Sequence, residues 1–92
     1  MGLIVLTSAS NVIRRLPPAP KRAIRAALDM LARDRFSPDL DSRRLDSGDL
    51  GWEVYRLRVG DWRVGYVQVG QESRVVHVFH RSEGYGWLER LG

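Results

Sequence analysis

Two hydrophobic periods divide this chain. From Trp52 to Tyr66, WEVYRLRVGDWRVGY, apolar side chains recur at alternate positions on either side of Gly60-Asp61. Period-2 runs joined by a two-residue Gly-Asp connection predict a β-hairpin, because Gly supplies the positive φ that tight hairpin turns need. Counting outward from such a turn sets the register. Val59 opposes Trp62, Leu57 opposes Val64 and Tyr55 opposes Tyr66, and these six share one face that is predicted to be core. On the opposite face Arg58 stands across from Arg63, and Arg56 across from Gly65.

The rest of the pattern surrounds this hairpin. Leu3 to Thr7 is a short apolar run that predicts a buried strand. Ser8 is placed to cap a helix over Ala9 to Leu16, with Val12, Ile13 and Leu16 on one side. Pro17-Pro18 ends it, and Pro20 stands where a second helix can begin. From Lys21 to Phe36, Ile24, Leu28 and Leu31 with Ala27 form a helical stripe. Ser37 to Gly51 is rich in Asp, Ser and Gly and predicts a loop, anchored by Leu45.

After the hairpin, Gly70 to Ser73 predicts a second turn and Arg74 to Arg81 a third strand of a meander. That strand is apolar on both sides, with Val75, His77 and Phe79 on one and Val76 and Val78 on the other. Such a strand belongs inside a sheet. A one-residue slip exchanges its faces, which leaves open whether Arg81 joins the arginine side. Ser82 to Gly92 reads as a tail or short helix, with Tyr85, Trp87 and Leu91 available to pack. Strand, two helices, three strands and a tail make one α+β domain over residues 1–92. The helices lie on one sheet face and the arginines on the other.

Composition narrows the function classes. The 92 residues suit one modest core. No run is long and apolar enough to span a bilayer, and Leu3-Ile4-Val5-Leu6 is too short for a signal peptide and lacks a basic flank. An intracellular, cytoplasmic protein without a membrane association is the expectation. There is no Cys, and the only histidines are His77 and His80, so neither a metal nor another cofactor is expected. The net charge is +4, carried by Arg apart from Lys21, which points to an anionic partner.

The arginines make the partner more specific. Like charges directly across a ladder destabilise it by a few tenths to about 1 kcal/mol. A sequence selected for folding alone does not favour Arg58 opposite Arg63. Gly65 leaves space beside Arg56, and guanidinium groups around a gap suit a phosphate held by paired N–H donors. The competing reading has these side chains splayed into water.

The hairpin YRLRVGDWRVGY followed by HRSEGY resembles the RelE/ParE superfamily of type II toxin–antitoxin toxins, and the likeness runs along nearly the whole chain. It implies a RelE-like fold: an N-terminal strand, a helical hairpin on a mainly antiparallel sheet, and a short C-terminal helix or tail. It also implies a cognate antitoxin as partner, and two functions. RelE-like members cleave mRNA on the ribosome, whereas ParE-like members inhibit DNA gyrase without being nucleases. On the RelE-like, mRNA interferase branch the resemblance places Arg56, Arg63, Arg81 and Tyr85 in the catalytic set, with Arg58 and His80 as substrate contacts. Val54 stands where a Lys can occur, and Phe79 replaces the usual Gly before His-Arg.

The chemistry that this branch requires is metal-independent. The RNA 2′-hydroxyl must lose a proton, the pentacovalent phosphate must be stabilised, and the leaving 5′-oxygen must gain a proton. Arg56, Arg63 and Arg81 suit the second task. Arg is a poor base, which leaves Tyr85 and His80 for proton transfer, with Glu83 and Glu53 behind them. The leading expectation is a ribosome-dependent mRNA endoribonuclease; the alternative is a ParE-like gyrase inhibitor.

Overall fold

The computed structural model describes residues 2–46, 52–84 and 86. Its elements are β1 (Gly2–Val5), α1 (Thr7–Arg15), α2 (Pro18–Arg33), β2 (Asp41–Leu45), β3 (Glu53–Val59), β4 (Trp62–Val69) and β5 (Glu72–His80). They form one five-stranded sheet in the order β1-β5-β4-β3-β2. Every neighbouring pair is antiparallel except β1 and β5. This is the α+β architecture anticipated, with α1 and α2 packed on one face. Tyr85 and the Ser82–Gly92 tail beyond Gly84, apart from Gly86, lie outside the described residues.

The central hairpin has the register that its turn dictates: Val59 pairs with Trp62, Leu57 with Val64, and Tyr55 with Tyr66. Gly60 has φ of 59°, and among the described residues no non-glycine has positive φ. A positive φ at the first central position alone is the II′ turn, whose twist matches that of the flanking strands. Gly70 repeats it with φ of 60°, so the second turn is Gly70-Gln71 and β5 begins at Glu72 rather than Arg74. The core lies between this face and the helices. Ile24, Leu28 and Leu31 of α2 and Ile13 of α1 pack on Leu57, Val64, Tyr66, Val75 and Val78.

Four local expectations need correction. The Ser37–Gly51 loop contains β2, an edge strand with little apolar content, whose ladder is completed by β3 rather than announced by its own residues. β1 is an edge strand, not a buried one: Leu3 and Val5 turn to the core while Ile4 is 42% exposed. Ser8 does not cap α1. Leu6 occupies the N-cap without a side-chain bond, and the Ser8 hydroxyl donates to the Val76 carbonyl at 3.4 Å.

The fourth concerns β5. It is internal, as its apolar faces predict, but Gly65 pairs with His77 and Tyr66 with Val75, so Val76 is an extra residue. This β-bulge resets the alternation. Val75 and Val78 face the helices, whereas His77 and Phe79 face the other way. Strict period 2 had grouped Val75 with His77 and Phe79.

Tyr66 is the largest fully buried side chain among the described residues, stacked on Tyr55 with ring centroids 5.2 Å apart. Its hydroxyl bonds the Ser42 hydroxyl at 2.6 Å. Burial raises its pKa above the ordinary tyrosine value, against the opposing pull of the Ser42 bond. The unfolded chain therefore releases this proton first as pH rises. The Tyr66 contribution is complete below about pH 10 and falls as pH climbs towards the folded-state value. Urea midpoints should drop as pH rises past about 10, and Tyr66→Phe should flatten that drop. Gly60→Ala meets no atom within 4 Å, so its expected cost, roughly 1–2 kcal/mol in the same unfolding measurement, is purely that of a left-handed alanine.

Candidate functional site

Across the face away from the helices the side chains form rows. Asp41, Arg58, Arg63 and Phe79 make one row through β2, β3, β4 and β5, and Arg43, Arg56, Gly65 and His77 make the next. Two like-charge pairs, Arg58 with Arg63 and Arg43 with Arg56, thus stand side by side. The same face is not uniformly polar. Val54, Val67 and Phe79 are buried there in a second small cluster with Leu45 and Val76.

The arginines do not all gather at one point. Arg56 Nη2 lies 3.9 Å from Asp41 Oδ1 and Arg58 Nε 4.0 Å from Asp41 Oδ2, so these two converge on a single carboxylate. The Arg56 side chain is only 14% exposed, against 57% for Arg58. Arg63 turns towards the hairpin loop, where Nη1 donates to the Gly60 and Trp62 carbonyls, both at 2.9 Å. Arg81 lies just past β5. Its backbone N–H extends the ladder to the Asp61 carbonyl at 2.8 Å, and its Nε is 3.4 Å from Asp61 Oδ1. The expected group of Arg56, Arg63 and Arg81 is therefore two groups, one at Asp41 and one at the turn.

The histidines separate as well. His80 pairs with Trp62, and its ring meets the Trp62 ring edge-on at 5.3 Å. That is the helix side of the sheet, away from Arg56 and Arg58. Its Nδ1 accepts the Ser82 backbone N–H at 3.2 Å, which leaves the proton of the neutral ring on Nε2. His77 is on the arginine side instead, in the row of Arg56 across Gly65, and its ring stacks on Phe79 at 5.6 Å. Periodicity alone does not bring His77 to this face, because the bulge that orients it leaves no compositional mark. Asp41 carries no such signal either, because its strand forms by pairing with β3 inside a segment that reads as a loop. Glu53 pairs with Arg44 at 3.7 Å on the helix side, and the Glu83 carboxylate accepts the His80 backbone N–H at 3.3 Å. Tyr85 lies outside the described residues. Among the described residues no cluster of three or more acidic or histidine side chains could hold a metal ion, and no helix is long and apolar enough to cross a membrane.

A family model described as the ParE toxin of type II toxin-antitoxin system, parDE, matches residues 11–85. The chain belongs to the ParE toxin family. The toxin's fold is also that of two archaeal RelE structures. One is in a RelE-RelB complex from Pyrococcus horikoshii OT3, with a TM-score of 0.74 and 21% identity, over 90% of this chain and 97% of that one. The other is in a RelB-RelE antitoxin-toxin complex from Methanococcus jannaschii, with a TM-score of 0.72 and 19% identity, over 91% and 96%. No curated protein sequence matches. Family and fold together place the toxin in the RelE/ParE superfamily.

Exposed ion pairs contribute about 0–1 kcal/mol and weaken with salt. The carboxylate of Asp41 is 59% exposed, so Asp41→Asn should alter unfolding free energy by less than about 1 kcal/mol. The same substitution unmasks Arg58 and Arg56, and the variant should elute from heparin at higher salt than the parent protein.

Proposed function

We propose that this toxin is the effector of a type II toxin–antitoxin pair and cleaves mRNA on the ribosome, in the cytoplasm, until a cognate antitoxin neutralises it. The observation that carries the reading is the convergence of Arg56 and Arg58 on one carboxylate. Two guanidiniums that share Asp41 are spaced to share the oxygens of a phosphate, which offers more charge and more acceptor sites than a carboxylate. Arg63 and Arg81 flank them at the turn. Their present partners, two carbonyls and an exposed Asp61, are weak enough to exchange for phosphate oxygens.

In the reaction the 2′-hydroxyl attacks phosphorus and the bond from phosphorus to the 5′-oxygen breaks, leaving a 2′,3′-cyclic phosphate and a 5′-hydroxyl. Arg56, Arg58, Arg63 and Arg81 stabilise the added charge on the phosphoryl oxygens. A base takes the 2′ proton and an acid returns one to the 5′-oxygen. His77 is the described proton carrier on this face, one strand beyond Gly65 from Arg56, and Tyr85 is the second candidate. His80, on the opposite side, takes no part. The ribosome supplies the alignment of the mRNA, a contribution that proximity alone makes large.

A second reading, a non-enzymatic toxin that binds DNA gyrase, is favoured by the family that the chain matches and by the separation of Arg81 from Arg56. In it the arginines form a protein-binding surface. Addition of the toxin to a translation extract, followed by mapping of mRNA 5′ ends, separates the two. Cuts in phase with codons, reduced about 10²–10³-fold by Arg56→Ala and by His77→Ala, are the outcome expected for an enzyme with preorganised charge. Intact mRNA together with blocked gyrase supercoiling would establish the second reading instead.

A further inference from the structure

The two edges of the sheet differ in kind. β2 carries Asp41, Arg43 and Arg44 along its length, and charged side chains are a common protection of an open edge. β1 is Gly2-Leu3-Ile4-Val5, continued by Leu6 in extended backbone, and no charged side chain stands on it. It pairs on one side only, with β5. The Gly2 N–H donates to the Gln71 carbonyl at 3.2 Å and the Leu6 N–H to the Val75 carbonyl at 2.9 Å. Backbone groups alternate in direction along a strand. Gly2, Ile4 and Leu6 therefore direct their N–H groups at β5, while Leu3 and Val5 direct both N–H and C=O at the open edge. Among the described residues no hydrogen bond reaches those outward groups.

The side chains alternate as well. Leu3 and Val5 pack on the main core, whereas Ile4 and Leu6 are 42% and 41% exposed. Antiparallel pairing with a second β1, about a two-fold axis through Ile4, matches this arrangement residue by residue. Leu3 then opposes Val5 of the partner subunit, and Val5 opposes Leu3 of the partner subunit. Each pair exchanges both of its free N–H···O=C bonds. Ile4 opposes its own counterpart as a non-hydrogen-bonded pair, the kind in which side chains come closest. Gly2 opposes Leu6, so the position without a side chain receives a large one. An uncharged strand sets no like charges against each other when it pairs with itself. The same operation about Arg43, the middle of β2, would oppose two arginines.

We propose that the open edge of β1 is a self-association site, through which two copies of this toxin join their sheets as a two-fold dimer. The outward bonds of Leu3 and Val5 and the burial of Ile4 and Leu6 hold it. The axis is perpendicular to the sheet, so both arginine faces lie on the same side of one continuous sheet and stay uncovered. Pairing over so few residues buries less than the roughly 1,200 Å² of a stable interface, so the dimer forms and dissociates with concentration. It joins two chains of net charge +4. Salt therefore strengthens it, the reverse of binding to a nucleic acid. The inference does not depend on what the toxin attacks.

Sedimentation equilibrium of the toxin over a concentration series tests it. The expected result is a monomer–dimer equilibrium that moves towards dimer as salt is added. Ile4→Lys and Ile4→Glu each set like charges across the axis and should weaken the dimer by about tenfold or more. An equimolar mixture of the two variants should restore it, because opposite charges then face each other. The thermal midpoints of the dilute variants should match the parent, because Ile4 is exposed. Amide exchange at Leu3 and Val5 should slow as the parent concentration rises. A parent that is monomeric throughout the series, a dimer indifferent to both substitutions, or a mixture that stays monomeric overturns the proposal. So does exchange at Leu3 and Val5 that slows only when the protein of the adjoining reading frame is added, which assigns the edge to that protein.

Discussion

The alternation of β3 and β4 about the Gly60-Asp61 turn is the constraint on which the rest of the molecule depends. A II′ turn with Gly60 at positive φ admits one register, and a slip of a single residue would turn every core side chain outward. With that register in place, Leu57, Val64 and Tyr66 form a continuous apolar surface for α1 and α2. The arginines are then placed on the other surface by geometry, whatever their mutual repulsion. Hydrophobic burial outweighs the cost of two like-charge cross-strand pairs, because a fully buried aliphatic or aromatic side chain contributes about 1.5–3 kcal/mol against at most about 1 for each pair.

The bulge at Val76 is the second determinant, because it decides which chemistry each face receives. Without it, Val75 would stand with His77 and Phe79, so seating Val75 in the main core would carry His77 to the helix side and His80 to the face of Arg56. With it, Val75 and Val78 both enter the main core, and His77 and Phe79 cross to the arginine side. The Ser8 hydroxyl reaches the carbonyl of the bulged residue from α1. The same β5 thus supplies two cores and orients both histidines, in opposite directions.

Electrostatics here is a matter of exchangeable partners. Asp41 and Asp61 sit where they moderate the arginines without burying them, at separations of 3.4–4.0 Å. Such contacts stabilise the fold little, yet they keep Arg56 and Arg58 oriented towards one point. The helix-side surface around Phe36 has a different character, with the Tyr55 and Tyr66 rings beside the Arg35 guanidinium.

Much of this was legible in the residues themselves. The hairpin register, the helical stripe of Ile24, Leu28 and Leu31, the internal position of the last strand and the α+β class follow from local periodicity and turn chemistry, which short-range sterics enforce. The candidate site was legible only as a set of residue types. Asp41 entered it through β2, a polar edge strand that forms because β3 offers an open ladder and not because its own residues prefer it. One inserted residue decided which of His77 and His80 faces the arginines, and Arg63 and Arg81 were drawn to the turn by carbonyls and a carboxylate unremarkable in the sequence. Periodicity acts through neighbouring residues, so it determined the elements. Pairing between distant strands decides which side chains meet, and that only the assembled sheet could settle.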